Sequence, residues 1–137
     1  MYAISSSLTG REREFASARR ALGEKGFSLG GNWDYRRGSF DCALDEAQKV
    51  YLRLPFVVTR GSLDSETDDI KADIRFEAPY VLKHVYNEGL DPEAQPRTLG
   101  AMFDQFSDPL DSDADIEPRW IETARGRLSE AEQLLRE

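Results

Sequence analysis

The sequence predicts an α+β fold in which a meander of four or five antiparallel strands carries an N-terminal and a C-terminal helix on one face. Three observations support this class. Apolar residues recur at every second position through the middle of the chain, and they recur at helical spacing near both ends. The connections between the alternating stretches are short, and links too short for a crossover helix make neighbouring strands antiparallel.

The first predicted helix covers residues 9–25. Thr9 and Glu12 have the spacing of a capping box, in which a hydroxyl and a carboxylate satisfy free backbone N–H groups at a helix start. Apolar residues then recur at helical spacing at Phe15, Ala18 and Leu22. Glycines follow, and glycine is the usual residue at a helix end.

Four stretches alternate between apolar and polar residues, and each is predicted to be a strand. They are residues 32–35, 39–44, 50–56 and 70–77. A period of two places the apolar residues of each strand on one sheet face and leaves the other face wet. Residues 36–38 and 45–48 suit hairpin connections of three and four residues. Tyr80, Leu82, His84 and Tyr86 alternate through a shorter extended piece, which is followed by a loop. The sheet has five strands if this piece joins it and four if it does not.

Two further helices are predicted in the last third of the chain. A short one opens at Thr98 and ends before Pro109, and a longer one begins near Glu117-Pro118, where a first-turn proline costs no hydrogen bond. The buried face of the longer helix is predicted to be Ile121, Ala124, Leu128, Ala131 and Leu135. With 137 residues, the chain (1–137) is predicted to form one domain.

Composition excludes several classes of function. The chain has 26 acidic and 18 basic residues and a formal charge of −8, which disfavours nucleic acids and anionic membranes. Cys42 is the sole cysteine, so no internal disulfide is expected, and a reducing compartment is the simpler location. The sequence shows no signal-peptide pattern and no apolar run long enough to span a membrane. We therefore predict a cytoplasmic protein.

Four segments carry a resemblance to a known family. They are residues 26–35, which include Gly-Gly-Asn-Trp-Asp-Tyr, and residues 52–56, 79–91 and 103–109. Together they resemble the YugN-like proteins of Gram-positive bacteria over nearly the whole chain. The resemblance implies an α+β domain of a small family whose biochemical role has not been established. It therefore implies no catalytic residues.

Two groups of side chains are candidates for binding. On the wet sheet face, aromatic and arginine residues of the kind that anchor interfaces are expected at Tyr51, Arg53 and Arg75. At one sheet edge, a second group is expected to converge: Trp33, Tyr35, Tyr80, His84 and Tyr86. Trp33 and Tyr35 are more often core residues on burial frequencies.

Three functional hypotheses follow. The favoured one is a non-enzymatic binding or regulatory module for a protein partner or a small ligand, with no cofactor, because the residues supply surfaces but no complete reactive set. The second is a small enzyme that uses His84 as general acid or base with Tyr86, Glu88 or Asp91. The third is a structural role through homodimerisation at an exposed sheet face or edge.

One acidic segment matches part of the sequence pattern of a calcium-binding EF-hand loop. Asp111, Asp113, Asp115 and Glu122 occupy positions 1, 3, 5 and 12 of an EF-hand loop. Position 6, where the loop needs glycine for its sharp turn, is the β-branched Ile116. We therefore predict no dedicated metal site here.

Overall fold

The protein is described by a computed structural model that covers residues 1–63, 70–84 and 116–136. Within these residues seven strands form one antiparallel sheet that is accompanied by two helices, which confirms the predicted α+β class. In chain order the elements are β1 (Tyr2–Ala3), β2 (Glu12–Glu14), α1 (Phe15–Gly23), β3 (Ser28–Leu29), β4 (Arg37–Ala43), β5 (Val50–Arg60), β6 (Asp73–Phe76), β7 (Tyr80–Lys83) and α2 (Pro118–Leu134).

The long strand β5 organises the sheet. Strand β4 pairs with it along one side, from Arg37 opposite Val57 to Ala43 opposite Tyr51. The other side of β5 is shared, because β7 pairs with its first half and β6 with its second half. β1 and β2 then extend the sheet beyond β7 and β6, and β3 extends it beyond β4. The sheet therefore has more strands than the predicted meander of four or five.

The predicted start of the first helix is wrong, because the segment before Phe15 joins the sheet. Gly10 adopts a φ of 86° and donates its N–H to the carbonyl of Phe76 at 2.8 Å, and Phe76 donates back to Arg11 at 2.9 Å. Residues Glu12–Glu14 then pair with β6. Thr9 and Glu12 thus do not form a capping box, and the helix covers Phe15–Gly23.

The predicted strand at residues 32–35 and the predicted turn at 36–38 are also wrong. The Asp34 carboxylate accepts the backbone N–H groups of Arg36 and Arg37 at 2.8 and 2.9 Å, which makes a local turn instead of a ladder. β4 begins directly after this turn, at Arg37. The strand before the turn is the two-residue β3, earlier in the chain than expected.

One apolar cluster lies against the sheet. The rings of Phe15, Phe40, Phe56 and Phe76 pack with centroid separations of 5.1 to 6.4 Å, and each of these residues is at most 1% exposed. The buried face of α2 belongs to the same cluster through Ala124, Leu128 and Ala131. Helix α2 begins at Pro118, as predicted, whereas the helix predicted from Thr98 lies outside the described residues.

The end of α2 is held by side chains from the N-terminal segment. The guanidinium of Arg13 donates to the carbonyl of Leu135 at 3.0 Å, and that of Arg11 donates to the carbonyl of Arg136 at 2.8 Å. Leu135 and Arg136 directly follow the last residue of α2, so these contacts hold the C-terminal end of the helix against the N-terminal segment. Neither α1 nor α2, the two helices described, combines the length and apolar character that crossing a bilayer demands.

Candidate functional site

The sheet has two chemically different faces. In β5, Leu52, Leu54 and Phe56 point into the core, while the alternate residues Tyr51 and Arg53 point to the opposite face and are half-buried. Residues directly opposite each other on neighbouring strands share a face. We call this second surface the polar face and define it by Ser39, Asp41, Tyr51, Arg53 and Tyr80, which the register places there.

An ion pair lies at the centre of the polar face. Asp41 of β4 is directly opposite Arg53 of β5, and Arg53 is directly opposite Tyr80 of β7. The guanidinium of Arg53 donates through Nε to Asp41 Oδ1 and through Nη2 to Asp41 Oδ2, both at 3.1 Å. The two side chains are only 12% and 13% exposed. A two-point contact of this kind fixes the orientation of both groups.

The charge of Arg53 is fixed as well as its position. Burial lowers the pKa of the Arg53 guanidinium, but the hydrogen bond and charge of Asp41, together with a hydrogen bond to the Tyr80 oxygen, outweigh it, so the pKa is raised. Arg53 therefore stays positive at every physiological pH. It acts as a positioned donor group and not as a pH switch.

Ser39 adds a buried hydroxyl beside the pair. The residue is 3% exposed, and its Oγ has no hydrogen-bond partner among the described residues. A methyl group at Gly30 would lie 2.9 Å from Ser39 Oγ, 2.9 Å from Asp41 Oδ2 and 3.4 Å from Asn32 Oδ1. Three side-chain oxygens thus gather beside Gly30, whose N–H donates to the carbonyl of Ser39 at 2.8 Å.

Two adjoining grooves open over this cluster. The first groove has a volume of about 720 Å³ and is lined among others by Gly30, Asn32, Asp41, Tyr51, Arg53 and His84. The second groove has a volume of about 610 Å³, and its lining includes Asn32, Arg37, Ser39, Arg53, Glu77 and Tyr80. Asn32 and Arg53 line both, so the two grooves meet at the ion pair.

The ring of His84 forms one wall of the first groove together with Tyr51. Their ring centroids lie 5.1 Å apart with an interplanar angle of 85°, an edge-to-face contact. The backbone N–H of His84 donates to the carbonyl of Lys49 at 2.7 Å, which anchors the end of β7 beside β5. The three groups suggested as acid–base partners of His84, at positions 86, 88 and 91, lie outside the described residues.

The structure separates the predicted site residues. Tyr51, Arg53, Tyr80 and His84 line the grooves. Arg75 shares the polar face through its pairing with Val57, but it is exposed at the far end and lines neither groove. Trp33 is half-buried against the core, Tyr35 is 68% exposed, and Tyr86 lies outside the described residues.

The groove residues that sequence reasoning missed include Gly30, Asn32, Ser39 and Asp41. Ser39 and Asp41 alternate with the apolar Phe40 and Cys42, which was the signal that they belong to the wet face. The loop between β4 and β5 decides which residue they meet. Leu44 N donates to Val50 O at 2.8 Å, so the loop has five residues instead of the predicted four, and this register places Asp41 against Arg53.

Cys42 does not add to this site. Cys42 is 2% exposed on the core side, where burial raises the pKa of its thiol, the Arg127 charge lowers it and the Glu130 charge raises it. Within residues 1–63, 70–84 and 116–136 no three His, Cys, Asp or Glu side chains gather as metal ligands would. Three of the four EF-hand-like positions, Asp111, Asp113 and Asp115, lie outside those ranges.

Comparison with known proteins gives matches over the whole length of the chain. Residues 3–135 match the model of the YugN-like family. The "Uncharacterized protein YugN" of Bacillus subtilis (strain 168) is 28% identical over 136 residues, 98% of each chain. The crystal structure of the uncharacterized conserved protein YugN from Geobacillus kaustophilus HTA426 superposes with a TM-score of 0.69 at 17% identity. That alignment covers 99% of this chain and 96% of the other, and it shows a shared fold.

Proposed function

The chain belongs to the YugN-like family, and we propose that it is a binding module that holds a small polar molecule on the polar face of its sheet. One observation carries the proposal. The Asp41–Arg53 pair is held in a fixed orientation where two grooves meet, and the larger groove measures about 720 Å³. Volumes of ~300–1,000 Å³ are usual for small-molecule sites.

Stability alone does not explain the pair. Removing two ions from water costs several kcal/mol per ion in real proteins, and apolar residues of similar size often serve stability equally well. Asp41 and Arg53 are nevertheless largely withdrawn from water at the centre of the polar face. An ion pair at this position is better explained by the hydrogen-bonding groups that it presents to the groove.

A small molecule fits this surface better than a protein partner does. Specific protein interfaces are centred on contiguous apolar or aromatic patches. Among the described residues the exposed large apolar side chains are Met1, Tyr2 and Tyr35, none of which lines either groove. The polar face instead offers a concave surface with converging hydrogen-bonding groups.

His84 is the catalytic candidate in the same groove. Tyr51 packs edge-to-face against its ring, and in the proposed function the ring is a wall of the groove. If His84 is catalytic, His84→Ala abolishes an activity. If His84 is only a wall of the groove, His84→Ala changes the affinity for the ligand.

The test is a fragment screen by ligand-observed NMR on three proteins. Arg53→Lys keeps the charge but loses the planar fork that Asp41 and a ligand share, whereas Arg75→Lys makes the same change on the same sheet face outside both grooves. We expect polar fragments that bind wild type and the Arg75 variant but not the Arg53 variant. Equal binding to all three proteins, or binding to none, would refute the proposed function.

A further inference from the structure

The grooves also indicate the chemistry of the molecule they hold. We propose that it is a neutral molecule with neighbouring hydroxyl groups, a sugar or another polyol, bound at the meeting point of the two grooves. This inference rests on the proposed function and names the ligand class of the same site.

The described lining of the grooves carries no surplus of positive charge. The Arg53 guanidinium is engaged by Asp41, and the Asp34 carboxylate accepts the backbone N–H groups of Arg36 and Arg37. Among the described lining residues, Arg37 and Arg53 face Asp34, Asp41 and Glu77, so no positive charge is in excess. Sites for phosphate or carboxylate present surplus Arg or Lys. Two arginines beside three carboxylates therefore disfavour an anionic ligand, and the proposal takes the ligand to be neutral.

The hydrogen-bonding groups match hydroxyls. Each oxygen of the Asp41 carboxylate has two lone pairs, and Arg53 uses one donor on each, so further acceptor capacity remains. Ser39 offers both a donor and an acceptor, and Asn32 offers an amide. A ligand hydroxyl also donates and accepts, so two neighbouring hydroxyls can donate to Asp41 and accept from Ser39 or Arg53 at once.

Ser39 gives the independent indication that something binds here. A buried hydroxyl that lacks a partner has lost its hydration without compensation. Its Oγ and Asp41 Oδ2 each lie 2.9 Å from the Cβ position that an alanine at residue 30 would have, so the two oxygens are close together, and Ser39 lines the second groove. A ligand hydroxyl bound between these oxygens supplies the hydrogen bond that Ser39 Oγ lacks among the described residues.

The shape of the first groove disfavours a flat base. Nucleobases bind on aromatic faces that they can stack against. The rings of Tyr51 and His84 stand at 85° to each other, so they form a corner and not a parallel slot. A sugar presents C–H groups on one face and hydroxyls around its rim, which fits a single ring beside a polar wall.

The experiment is a chemical-shift titration of the ¹⁵N-labelled full chain. The probes are glucose, mannose, galactose and myo-inositol, with inorganic phosphate and adenosine as the competing classes. We expect at least one polyol to bind with a dissociation constant of about 1 mM or tighter. The shifted amides should centre on Ser39, Asp41 and Arg53. Ser39→Ala should weaken this binding about tenfold, while Ser17→Ala, on the exposed side of α1, should leave it unchanged.

The other outcomes overturn the inference in distinguishable ways. Phosphate or adenosine shifting the same amides more strongly than any polyol would reject a neutral polyol while supporting the proposed binding function. No saturable shift at these amides with any polyol would reject the inference. The fragment screen with Arg53→Lys would then decide the proposed function on its own.

Discussion

The core face and the polar face of the sheet are built from the same strands but are stabilised by different interactions. Phe40 and Asp41 are neighbours in β4, yet Phe40 is fully buried among three other phenylalanines while Asp41 meets Arg53. The core face is stabilised by buried area, which tolerates small shifts in geometry. The polar face depends on directional contacts at 3.1 Å. One register serves both, so mutations on the two faces should differ in kind as well as in size.

The largest loss of stability is expected on the core face. Phe40→Ala removes a ring that is 0% exposed and packs against Phe15, Phe56 and Phe76, so the free energy of unfolding should fall by about 3–5 kcal/mol. Urea denaturation followed by circular dichroism measures it. Tyr35→Ala, at a side chain 68% exposed, should change the same quantity by about 0.5 kcal/mol or less. Similar losses at both positions would contradict the assignment of the faces.

The second effect concerns the ion pair. Arg53→Met leaves the Asp41 carboxylate largely buried without its partner, and should lower the free energy of unfolding by about 2 kcal/mol. The loss is smaller than for a fully buried pair because both side chains retain some exposure. Asp41→Leu combined with Arg53→Met removes both charges. The double variant should therefore be more stable than Arg53→Met alone, and a further loss instead would show that the pair itself supports the fold.

Two adjacent glycines, Gly30 and Gly31, differ in how much space surrounds them. Gly30→Ala places a methyl 2.9 Å from two side-chain oxygens and should cost about 1 kcal/mol, because those groups must move apart. Gly31→Ala meets nothing within 4 Å and should be neutral within about 0.5 kcal/mol. Thermal unfolding of the two variants gives the comparison. Equal effects would mean that the oxygens do not gather beside Gly30.

Cys42 provides a pH-dependent test of the core face. Burial raises the pKa of its thiol above the ordinary value of 9.0, so the folded state disfavours the thiolate. The stability that the buried neutral thiol contributes is fully present below pH 9.0 and is lost as the pH rises through the pKa of the folded state. The excess stability of wild type over Cys42→Ala should thus be constant at neutral pH and smaller at alkaline pH. An excess that grows with pH would contradict the burial of Cys42.

Much of the fold follows from local patterns in the sequence. The alternation in residues 39–44 and 50–56 identifies β4 and β5, and Pro118 marks the start of α2. Thr9 and Glu12 have the capping-box spacing, but Gly10 turns the chain so that the next residues pair with β6. That pairing is a long-range contact, which the spacing of residues along the chain does not predict.

The site was harder to predict than the fold because it depends on register. Arg53 and Tyr51 were placed on the wet face by alternation alone. The pairing of Arg53 with Asp41 follows only from a five-residue loop, in which the Asp45 carboxylate accepts the N–H groups of Lys49 and Val50 and Gln48 adopts a φ of 57°. A shift of one residue would turn every side chain of β4 to the other face. Gly30 directly follows β3, and Asn32 reaches the site from a turn where the sequence predicted a strand.

The central claim is that the polar face is shaped for a ligand at some cost to stability, and the unfolding free energy of Ser39→Ala tests it most directly. Loss of a buried hydroxyl that has no partner should leave the stability unchanged or raise it by up to about 1 kcal/mol. The control is Ser6→Ala, whose hydroxyl donates to Glu132 at 2.8 Å and should cost about 1 kcal/mol. If Ser39→Ala instead loses as much as Ser6→Ala or more, the Ser39 hydroxyl has a partner within the protein and the account is contradicted.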